Sequence, residues 1–283
     1  MKVLVTGASG FIGQHLVKKL LRNGLQVTIV IRDLERAKKH EWFDKVDYIQ
    51  ADLNLNHLPV IEKLHEFDVL IHLAWPGLPN YLDSFHIFDN LRSDLGFLKD
   101  SIKSGLSHLV VAGSCLEYGL QSGALREDMD TYPITAYGIA KDFLRKSLQL
   151  LQKEHDFTLQ WIRLFYMYGE GQNPNSLLSQ LDKAIDEKKE SFDMSLGNQL
   201  RDYLSIEAVA ENILLVVKNP SINGVLNCSS GIPISVLDLV LRRCKDRNSD
   251  IHLNLGHYPI SDYEPLEFWG VPDKLNSLIF SGI

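Results

Sequence analysis

The sequence predicts an α/β fold in which a doubly wound parallel sheet is followed by a smaller, loop-rich C-terminal region. Over the first 165 residues, short apolar runs are separated by segments with helical periodicity. Strands that alternate with helices in this way form βαβ units and a parallel sheet. Hydrophobic residues make up 45% of the chain and charged residues 23%, which is the composition of an ordinary globular protein.

The elements follow in order along the chain. Strands are predicted at Lys2–Thr6, Gln26–Ile31, Tyr48–Ala51, Val69–Leu73, Leu109–Ala112 and Leu159–Leu164. Their runs are apolar without alternation, because helices cover both faces of a parallel sheet. Helices are predicted at Gln14–Asn23, Asn90–Ser104, Thr135–Glu154, Ser176–Lys188 and Ile206–Val217, with an extended segment at Gln199–Ser205.

The last fifty residues are predicted to be irregular, because Pro233, Pro259, Pro265 and Pro272 are spread along them. We therefore expect a sheet domain over residues 1–165, to which residues 204–230 return. The smaller region is expected to consist of residues 166–203 and 231–283.

Charge and cysteine content exclude several classes of function. The formal net charge is −7, whereas a general nucleic-acid binder is usually basic. No run approaches the roughly 18 apolar residues of a membrane helix. Because of the negative charge and the short apolar runs, we expect neither nucleic acid nor a membrane as a partner. Cys115, Cys228 and Cys244 are too scattered for a disulfide framework or a CxxC metal site. We expect reduced thiols, no metal ion and a cytoplasmic protein.

A glycine-rich loop separates the first strand from the first helix. Gly7, Gly10 and Gly13 are each three residues apart. Such glycines allow a tight turn, a close approach of a pyrophosphate to the backbone, and close packing of helix on strand. The helix N-terminus, with Phe11 and Ile12, supplies amide donors and a positive dipole. The loop therefore predicts a dinucleotide-binding site of the Rossmann type.

The end of the second strand indicates which nicotinamide cofactor is used. A carboxylate there binds the 2′-hydroxyl of NAD, and an arginine accommodates the 2′-phosphate of NADP. Arg32 is the first residue after the apolar run and Asp33 follows it. We predict a preference for NADP(H), with NAD(H) kept open by Asp33; a solvated helix start is the alternative interpretation of both residues.

A tyrosine and a lysine are placed for proton transfer. Tyr137 and Lys141 lie four residues apart in a predicted helix and so share one face. A neighbouring ammonium lowers the pKa of a phenol, which suits it to carbonyl reduction or alcohol oxidation. Ser114 stands at the carboxyl end of the fifth strand, where ligands of open α/β sheets bind, and its hydroxyl can orient a substrate oxygen.

Taken together, these motifs resemble a known family. TGASGFIG at residues 6–13, a serine four residues before Tyr118-Gly119, and Tyr137-x-x-x-Lys141 resemble the extended short-chain dehydrogenase/reductases. The chain is most similar to their NAD-dependent epimerase/dehydratase group, which acts on nucleotide sugars. The resemblance covers roughly residues 1–245; further matches are His72-Leu73-Ala74, Asn90, Arg163-Leu164-Phe165-x-x-Tyr168-Gly169, Arg201-Asp202-Tyr203 and Asn227-x-x-Ser230-Gly231.

The resemblance implies a role for each matching position. Tyr137 would be the general acid/base, Lys141 its pKa partner and a ribose contact, and Ser114 the hydroxyl that binds the reacting oxygen. The cofactor would be held by Gly7, Gly10, Phe11, Ile12, Gly13, Arg32, Asp52, Leu53, Leu73, Ala74 and Lys141. Ser114, Cys115, Tyr166 and Arg201 would contact a nucleotide-sugar substrate in the smaller, substrate-binding region. A surface arginine flanking a helix is the alternative interpretation of Arg201.

Departures from the family pattern narrow the expected reaction. The 4,6-dehydratases carry Asp-Glu directly after the serine or threonine, whereas this chain has Cys115-Leu116, and leucine cannot transfer a proton. Tyr166 replaces an asparagine that often contacts the substrate diphosphate. Glu117 is interpreted as a residue at the rim of the site. Trp75 either lines the cleft or packs in the core.

These observations favour a reductase of a nucleotide-linked 4-keto-6-deoxy sugar, with hydride from the nicotinamide and a proton from Tyr137. An NAD-dependent nucleotide-sugar epimerase is the alternative. A reductase of a small non-nucleotide carbonyl and a non-catalytic dinucleotide sensor remain open as weaker interpretations. The resemblance also suggests a homodimer that forms through the helices near Asn90 and Tyr137.

Overall fold

The computed structural model describes residues 1–281 and contains fourteen strands over that range. They are β1 (Lys2–Thr6), β2 (Gln26–Ile31), β3 (Asp47–Gln50), β4 (Val69–His72), β5 (His108–Ser114), β6 (Gly123–Leu125), β7 (Thr158–Leu164), β8 (Tyr166–Tyr168), β9 (Ser191–Met194), β10 (Leu200–Ser205), β11 (Gly224–Cys228), β12 (Pro233–Ser235), β13 (His252–Leu255) and β14 (Phe268–Gly270). The first five of the six predicted strands correspond to β1–β5 and the sixth to β7, with ends that differ by up to two residues.

The helices of the described residues are α1 (Phe11–Arg22), α2 (Leu34–Ala37), α3 (Leu58–Ile61), α4 (Arg92–Lys103), α5 (Ala136–Leu151), α6 (Leu177–Asp186), α7 (Ile206–Val217), α8 (Val236–Asp246) and α9 (Asp273–Ser281). A π-helical turn at His86–Leu91 leads directly into α4, and a 3₁₀ turn at Cys115–Tyr118 follows β5. The prediction for α7 matches both of its ends, because Ser205 caps it and Val217 closes its apolar run.

Seven strands form one parallel sheet in the order β11-β7-β5-β4-β1-β2-β3. The chain starts at β1 near the middle, builds outward through β2 and β3, then returns to the other side of β1 with β4. The strand order therefore reverses between β1 and β4, where Thr6 is in register with His72. Ligands of open α/β sheets bind at the carboxyl ends of strands beside such a reversal. The predicted doubly wound parallel sheet is confirmed.

Two hydrophobic cores cover the faces of this sheet. Consecutive residues of a strand point to opposite faces, so Val3 and Val5 join the core under α1 and α7, whereas Leu4 joins the core under α4 and α5. All three side chains are fully buried. The helices on each side therefore pack against a continuous apolar face of the sheet. This packing fixes the positions of the loops at the carboxyl edge.

The smaller region has its own core and its own short sheets. β8, β10 and β12 form one sheet, while β9 pairs with β13 and β6 pairs with β14. Leu181 of α6, Phe192 and Met194 of β9, and Val240 of α8 are buried together. These elements lie next to the carboxyl edge of the large sheet through β8, which follows β7 after a single residue.

The prediction of irregular structure after residue 232 is wrong. Helix α8 carries Leu239, Val240 and Cys244 on one buried face, a spacing typical of an amphipathic helix. The strand β11 was also missed, because it is bounded by Gly224 and contains the polar Asn227. Pro233 begins β12, and Pro259, Pro265 and Pro272 lie in connections, so none of the four lies within a helix.

The last helix contributes to the larger core rather than to the smaller one. Leu275 and Leu278 of α9 pack with the buried residues under α7. The domain boundary at residue 231 remains a prediction. Within residues 231–283, α9 packs on the core of the large sheet. Among residues 1–281, no helix is both long and apolar enough to cross a membrane.

Candidate active site

The glycine loop is packed too tightly for side chains at two of its three glycines. Gly7 has a φ of +70°, and a Cβ there would lie 2.7 Å from the amide nitrogen of Ala74. At Gly13, a Cβ would lie 2.2 Å from the carbonyl oxygen of Gly7. Gly7 therefore makes the turn against the end of β4, and Gly13 lets α1 approach the loop. Both functions match those predicted from the spacing.

The N-terminus of α1 presents free amide donors to the crevice. Its cap is Gly10, which has no side chain to satisfy the first-turn N–H groups, and no acidic residue lies in the first turn. The unpaired amides of Phe11 and Ile12 and the helix dipole favour an anion at this point. These residues fit the pyrophosphate of a dinucleotide.

The remaining predicted cofactor residues lie along the same edge of the sheet. Asp52 and Leu53 follow β3, and Leu73 and Ala74 follow β4. The carboxyl ends of parallel strands lie at one edge of the sheet; Leu73 and Ala74 lie directly against Gly7, whereas Asp52 and Leu53 lie at the same edge but two strands from β1. The amide of Ala74 donates to the Oγ1 of Thr6 at 3.3 Å, which ties the end of β4 to β1.

At the end of β2 the structure brings a second arginine to the loop. Arg32 is exposed, and the carboxylate of Asp33 accepts a hydrogen bond from the amide of Arg36 as the cap of α2. The guanidinium of Arg36 donates to the carbonyl oxygen of Ser9 at 3.4 Å. Arg36 was not among the predicted site residues, although it lies one helical turn beyond Arg32.

Ser114 is held in one conformation by the turn that follows β5. Its Oγ accepts from the amide of Leu116 at 3.2 Å, and its own amide donates to the carboxylate of Glu117 at 2.8 Å. This reciprocal pair is a capping box. Because one lone pair of the Oγ is already used, the O–H of Ser114 remains available as a donor.

Tyr137 and Lys141 lie on the inner face of α5, as their spacing predicts. Thr135 caps the helix by accepting from the amide of Gly138 at 3.0 Å. A Cβ at Gly138 would lie 2.7 Å from the carbonyl oxygen of Leu116, so a glycine lets the helix approach the Ser114 turn closely. The Ser114 hydroxyl acts on Tyr137 as well, because it lowers the pKa of the Tyr137 phenol.

Burial sets the proton affinity of both groups. Burial raises the pKa of the Tyr137 phenol above its ordinary value, and the hydrogen bond from Ser114 opposes this only in part. The expected lowering of that pKa by Lys141 is therefore not seen. Burial lowers the pKa of Lys141 to about 8, against the opposing charges of Asp94 and Glu117. The site thus holds a protonated phenol beside an ammonium that titrates near neutral pH.

Aromatic rings enclose this pair. The Nζ of Lys141 lies 3.8 Å from the ring centroid of Trp75, which gives a favourable cation–π contact. Tyr81 lies 5.7 Å and His86 5.3 Å from Tyr137, measured between ring centroids. Trp75 therefore both lines the site and packs in it. Such rings exclude water and make each charge inside act more strongly.

This arrangement suits proton transfer to an oxygen that lies next to an anion-binding, dinucleotide-shaped crevice. A profile of the NAD dependent epimerase/dehydratase family matches residues 3–228. The chain belongs to the NAD-dependent epimerase/dehydratase family. It is accordingly an NAD(P)-dependent enzyme of the extended short-chain dehydrogenase/reductase type, as the sequence motifs predict.

Relatives within the epimerase/dehydratase family modify nucleotide sugars. The dTDP-6-deoxy-L-talose 4-dehydrogenase (NAD(+)) of Aggregatibacter actinomycetemcomitans is 28% identical over 272 residues, which is 95% of this chain and 99% of that protein. MoeE5 in complex with UDP-glucuronic acid and NAD is 26% identical, with a TM-score of 0.80, and covers 99% of this chain and 93% of its own. The UDP-glucuronic acid 4-epimerase of Bacillus cereus has the same fold, with a TM-score of 0.86 at 24% identity over 99% of this chain and 93% of its own.

Glu117 does not lie at the rim of the site, and that interpretation is wrong. Its side chain is fully buried and accepts from the indole Nε1 of Trp161 at 2.8 Å and from the Nε of Arg163 at 2.9 Å. The sequence carried a signal for part of this, because Ser114-x-x-Glu117 has the spacing of a capping box. Trp161 and Arg163 lie more than forty residues away in the chain.

Arg201 is buried beneath the segment that leads into β14. Its guanidinium donates to the carbonyl oxygens of Leu200 and Leu266 and to the carboxylate of Glu264 at 3.2 Å. The phenol of Tyr166 donates to the same carboxylate. Two predicted substrate contacts are thus brought together around Glu264, a residue that sequence reasoning did not single out.

Cys115 lies beside this cluster and is buried. Burial raises the pKa of its thiol well above the ordinary value, which leaves the sulfur protonated and a poor nucleophile. Its predicted role as a substrate contact therefore concerns shape rather than chemistry. Within residues 1–281, no cluster of three His, Cys, Asp or Glu side chains is arranged to hold a metal ion.

Proposed function

We propose that this enzyme reduces a nucleotide-linked 4-keto-6-deoxy sugar. The observation that carries the proposal is the phenol of Tyr137, which is buried among the rings of Trp75, Tyr81 and His86 and whose pKa is raised by that burial. A protonated donor is what carbonyl reduction requires of the free enzyme. The relative from A. actinomycetemcomitans, whose name describes a 4-dehydrogenase of a 6-deoxy sugar nucleotide, supports the same substrate class.

Three residues would divide the chemistry among them. The O–H of Ser114 would bind the substrate carbonyl oxygen and hold it against Tyr137. Tyr137 would donate its proton to that oxygen as negative charge develops there. Lys141 would stabilise the resulting phenolate and contact the cofactor ribose. A bound nicotinamide cofactor would supply the hydride, and the glycine loop with the first turn of α1 would hold its pyrophosphate.

The absence of an acid next to Ser114 supports reduction over 4,6-dehydration. Cys115 and Leu116 occupy the two positions after Ser114, and both are buried. The protonated thiol of Cys115 is too weak an acid for the leaving hydroxyl. A substrate that already contains the 4-keto-6-deoxy sugar needs no such acid.

Nicotinamide absorbance tests the proposal directly. We expect stoichiometric oxidation of reduced cofactor when the enzyme is incubated with one member of a panel of nucleotide-linked 4-keto-6-deoxy sugars. Interconversion of sugar isomers without net change in cofactor would identify an epimerase instead. That alternative is favoured by the bound NAD of the structurally similar enzymes. No turnover of any nucleotide sugar would contradict both.

We further propose that the enzyme prefers NADPH over NADH. We also propose that it is located in the reducing cytoplasm. Arg32 and Arg36 flank the place where a 2′-phosphate would lie, and the carboxylate of Asp33 is engaged in capping α2. Charge-assisted hydrogen bonds to phosphate contribute about 1.5–3 kcal/mol. All three cysteines are buried free thiols, which is consistent with a reducing compartment.

Replacing either arginine is expected to change cofactor choice. In Arg36→Ala, as in Arg32→Ala, the ratio of NADPH to NADH affinity should fall about tenfold or more, since one charge-assisted hydrogen bond is lost. Fluorescence titration of both reduced cofactors measures the ratio. Lys39→Ala, in the same exposed stretch, is the matched control. Unchanged ratios in both arginine variants would contradict the NADPH preference.

We also propose that the enzyme is a homodimer. Ile139, Phe143 and Leu150 form an exposed apolar stripe on the outer face of α5, and Phe88 is exposed in the neighbouring π-helical turn. A contiguous exposed apolar patch commonly marks an interface. Sedimentation should give a dimer for the wild type and a monomer for Phe143→Glu. A monomeric wild type would contradict the proposal.

A further inference from the structure

Glu117 is a fully buried carboxylate with a complete set of donors. One oxygen accepts from the amide of Ser114 and from the indole of Trp161, each at 2.8 Å. The other accepts from the Nε of Arg163 at 2.9 Å and lies 3.5 Å from the Nε of Arg145. A buried carboxylate placed between two guanidinium groups carries its negative charge in the folded protein.

The end of β5 is built around this carboxylate. A Cβ on Gly113 would lie 2.6 Å from the Oε1 of Glu117 and 2.2 Å from the Nε1 of Trp161. Only a glycine leaves room for that pair behind the strand. The next residue is Ser114, whose amide is bound by the same Oε1. The backbone that carries the Ser114 hydroxyl is therefore fixed from behind by Glu117.

The charge of Glu117 also acts on the two groups that move protons. It raises the pKa of Lys141, as does the charge of Asp94 from α4, in opposition to the larger effect of burial. It raises the pKa of Tyr137 in addition to burial and to the effects of Tyr81 and Cys115. In both cases the carboxylate favours the protonated form. His86 of the π-helical turn also faces this pair: its ring lies 5.3 Å from that of Tyr137, and the charge of Lys141 lowers the pKa of His86.

We propose that Glu117 is a positioning residue of the active site, which fixes Ser114 from behind and places a negative charge beneath Tyr137 and Lys141. The inference rests on the proposed function for its catalytic meaning, because it concerns the same proton donor. A carboxylate whose sole task is to pair with Arg163 would stabilise the fold without changing how Lys141 titrates. This difference can be measured without any substrate.

Trp75 provides a reporter for the charge on Lys141. Its indole ring lies 3.8 Å from the Nζ of Lys141, so the Trp75 indole resonance changes as the ammonium loses its proton. Its Nε1 donates to His86, but burial lowers the pKa of His86 below 6.5. An inflection near pH 8 in an NMR titration of the labelled tryptophan indoles therefore reports Lys141.

The titration is compared in wild type, Glu117→Gln and a control. Glu117→Gln removes the charge with little change in size, and we expect the Trp75 inflection to move to lower pH by about half a unit or more. Glu127→Gln is the matched control, because Glu127 is a partly buried carboxylate whose bond goes to the amide of Asn227 instead. In this variant the inflection should stay at the wild-type pH.

A second variant separates charge from position and covers the case in which Glu117→Gln does not fold. Glu117→Asp retains the carboxylate but is one carbon shorter, so it cannot reach both Ser114 and Trp161. We expect the Trp161 indole resonance to move, the Trp75 inflection to stay near pH 8, and kcat to fall at least tenfold with little change in KM. A wild-type kcat in folded Glu117→Asp would overturn the positioning role.

The outcomes separate this inference from the proposed function. A Trp75 inflection that is the same in Glu117→Gln as in Glu127→Gln would overturn the charge assigned to Glu117. A shifted inflection in an enzyme that reduces no nucleotide-linked keto sugar would support the role of Glu117 and contradict the proposed reaction. A shifted inflection together with turnover supports both.

Discussion

Tyr137→Phe is expected to lower kcat about 10²–10⁴-fold, the usual contribution of a positioned proton donor. The substitution removes one oxygen from a buried ring and leaves the aromatic contacts with Trp75, Tyr81 and His86 in place. Cofactor affinity and KM should change little, because the phenol acts mainly on the oxygen that gains charge in the transition state. Steady-state nicotinamide absorbance with the identified sugar measures both constants.

Tyr132→Phe is the matched control for this experiment. Tyr132 is exposed and lies five residues before Tyr137 in the chain, so loss of its hydroxyl should leave kcat unchanged. A Tyr137→Phe enzyme with the wild-type rate would rule out the role assigned to the phenol. A lower rate in both variants would indicate a general loss of structure, which thermal unfolding would detect.

Lys141→Met is expected to abolish most activity and yet to stabilise the fold. Lys141 is almost completely buried, and burial lowers its pKa to about 8 from the ordinary 10.5. A difference of this size corresponds to roughly 3–4 kcal/mol at most, since each pKa unit is worth about 1.4 kcal/mol. Methionine fills a similar volume without charge. The wild-type protein is expected to have a lower free energy of unfolding than this variant, because it holds a buried ammonium beside Tyr137.

The sign of the pH dependence follows from the lowered pKa. Between pH 8 and 10.5, the unfolded chain holds the Lys141 proton while the folded protein releases it. The contribution of this residue to the free energy of unfolding therefore rises with pH across that window. Below pH 8, Lys141 is charged in both states and the full cost of its burial remains. The advantage of Lys141→Met should be largest there and shrink towards pH 10.5.

Urea unfolding at pH 7 and at pH 9.5 tests this expectation. Lys146→Met is the control, because Lys146 lies on the same helix but its own side chain is exposed, and it pairs with the buried carboxylate of Asp142. That variant should gain no stability at either pH. A Lys141→Met protein that is less stable than the wild type at pH 7 would show that burial does not penalise the ammonium.

Local patterns in the sequence were sufficient for the glycine loop and for the strand and helix that flank it. Gly10 and Gly13 pack against the loop itself, so their spacing carries that geometry, whereas Gly7 also leaves room for Ala74 at the end of β4. The same holds for Tyr137 and Lys141, because residues four apart share a helix face in any protein. The apolar positions of α8 are also regularly spaced, and the prolines that suggest irregular structure lie outside this helix.

Glu117 is a residue whose environment local sequence patterns do not predict. Its spacing from Ser114 predicts a capping box, but nothing near it in the chain predicts burial of a charge. Trp161 and Arg163 supply that environment from β7, more than forty residues away. Arg201 is similar, because Glu264 reaches it from a segment 63 residues later in the chain. Glu117 was expected at the rim of the site, and Arg201 was expected to contact the substrate, with a surface arginine as the alternative; the burial of neither charge was predicted.

The sequence by itself determined the family and the parallel sheet, and it predicts the cofactor loop and the Ser114, Tyr137 and Lys141 set. Residue type and short spacing are sufficient for each of these, because residues at such spacings share one helix face or one turn. Only the tertiary structure decided which charges are buried and how strongly Tyr137 and Lys141 hold their protons. Those properties depend on solvent exclusion and on charges brought together from distant segments, and no local pattern encodes either.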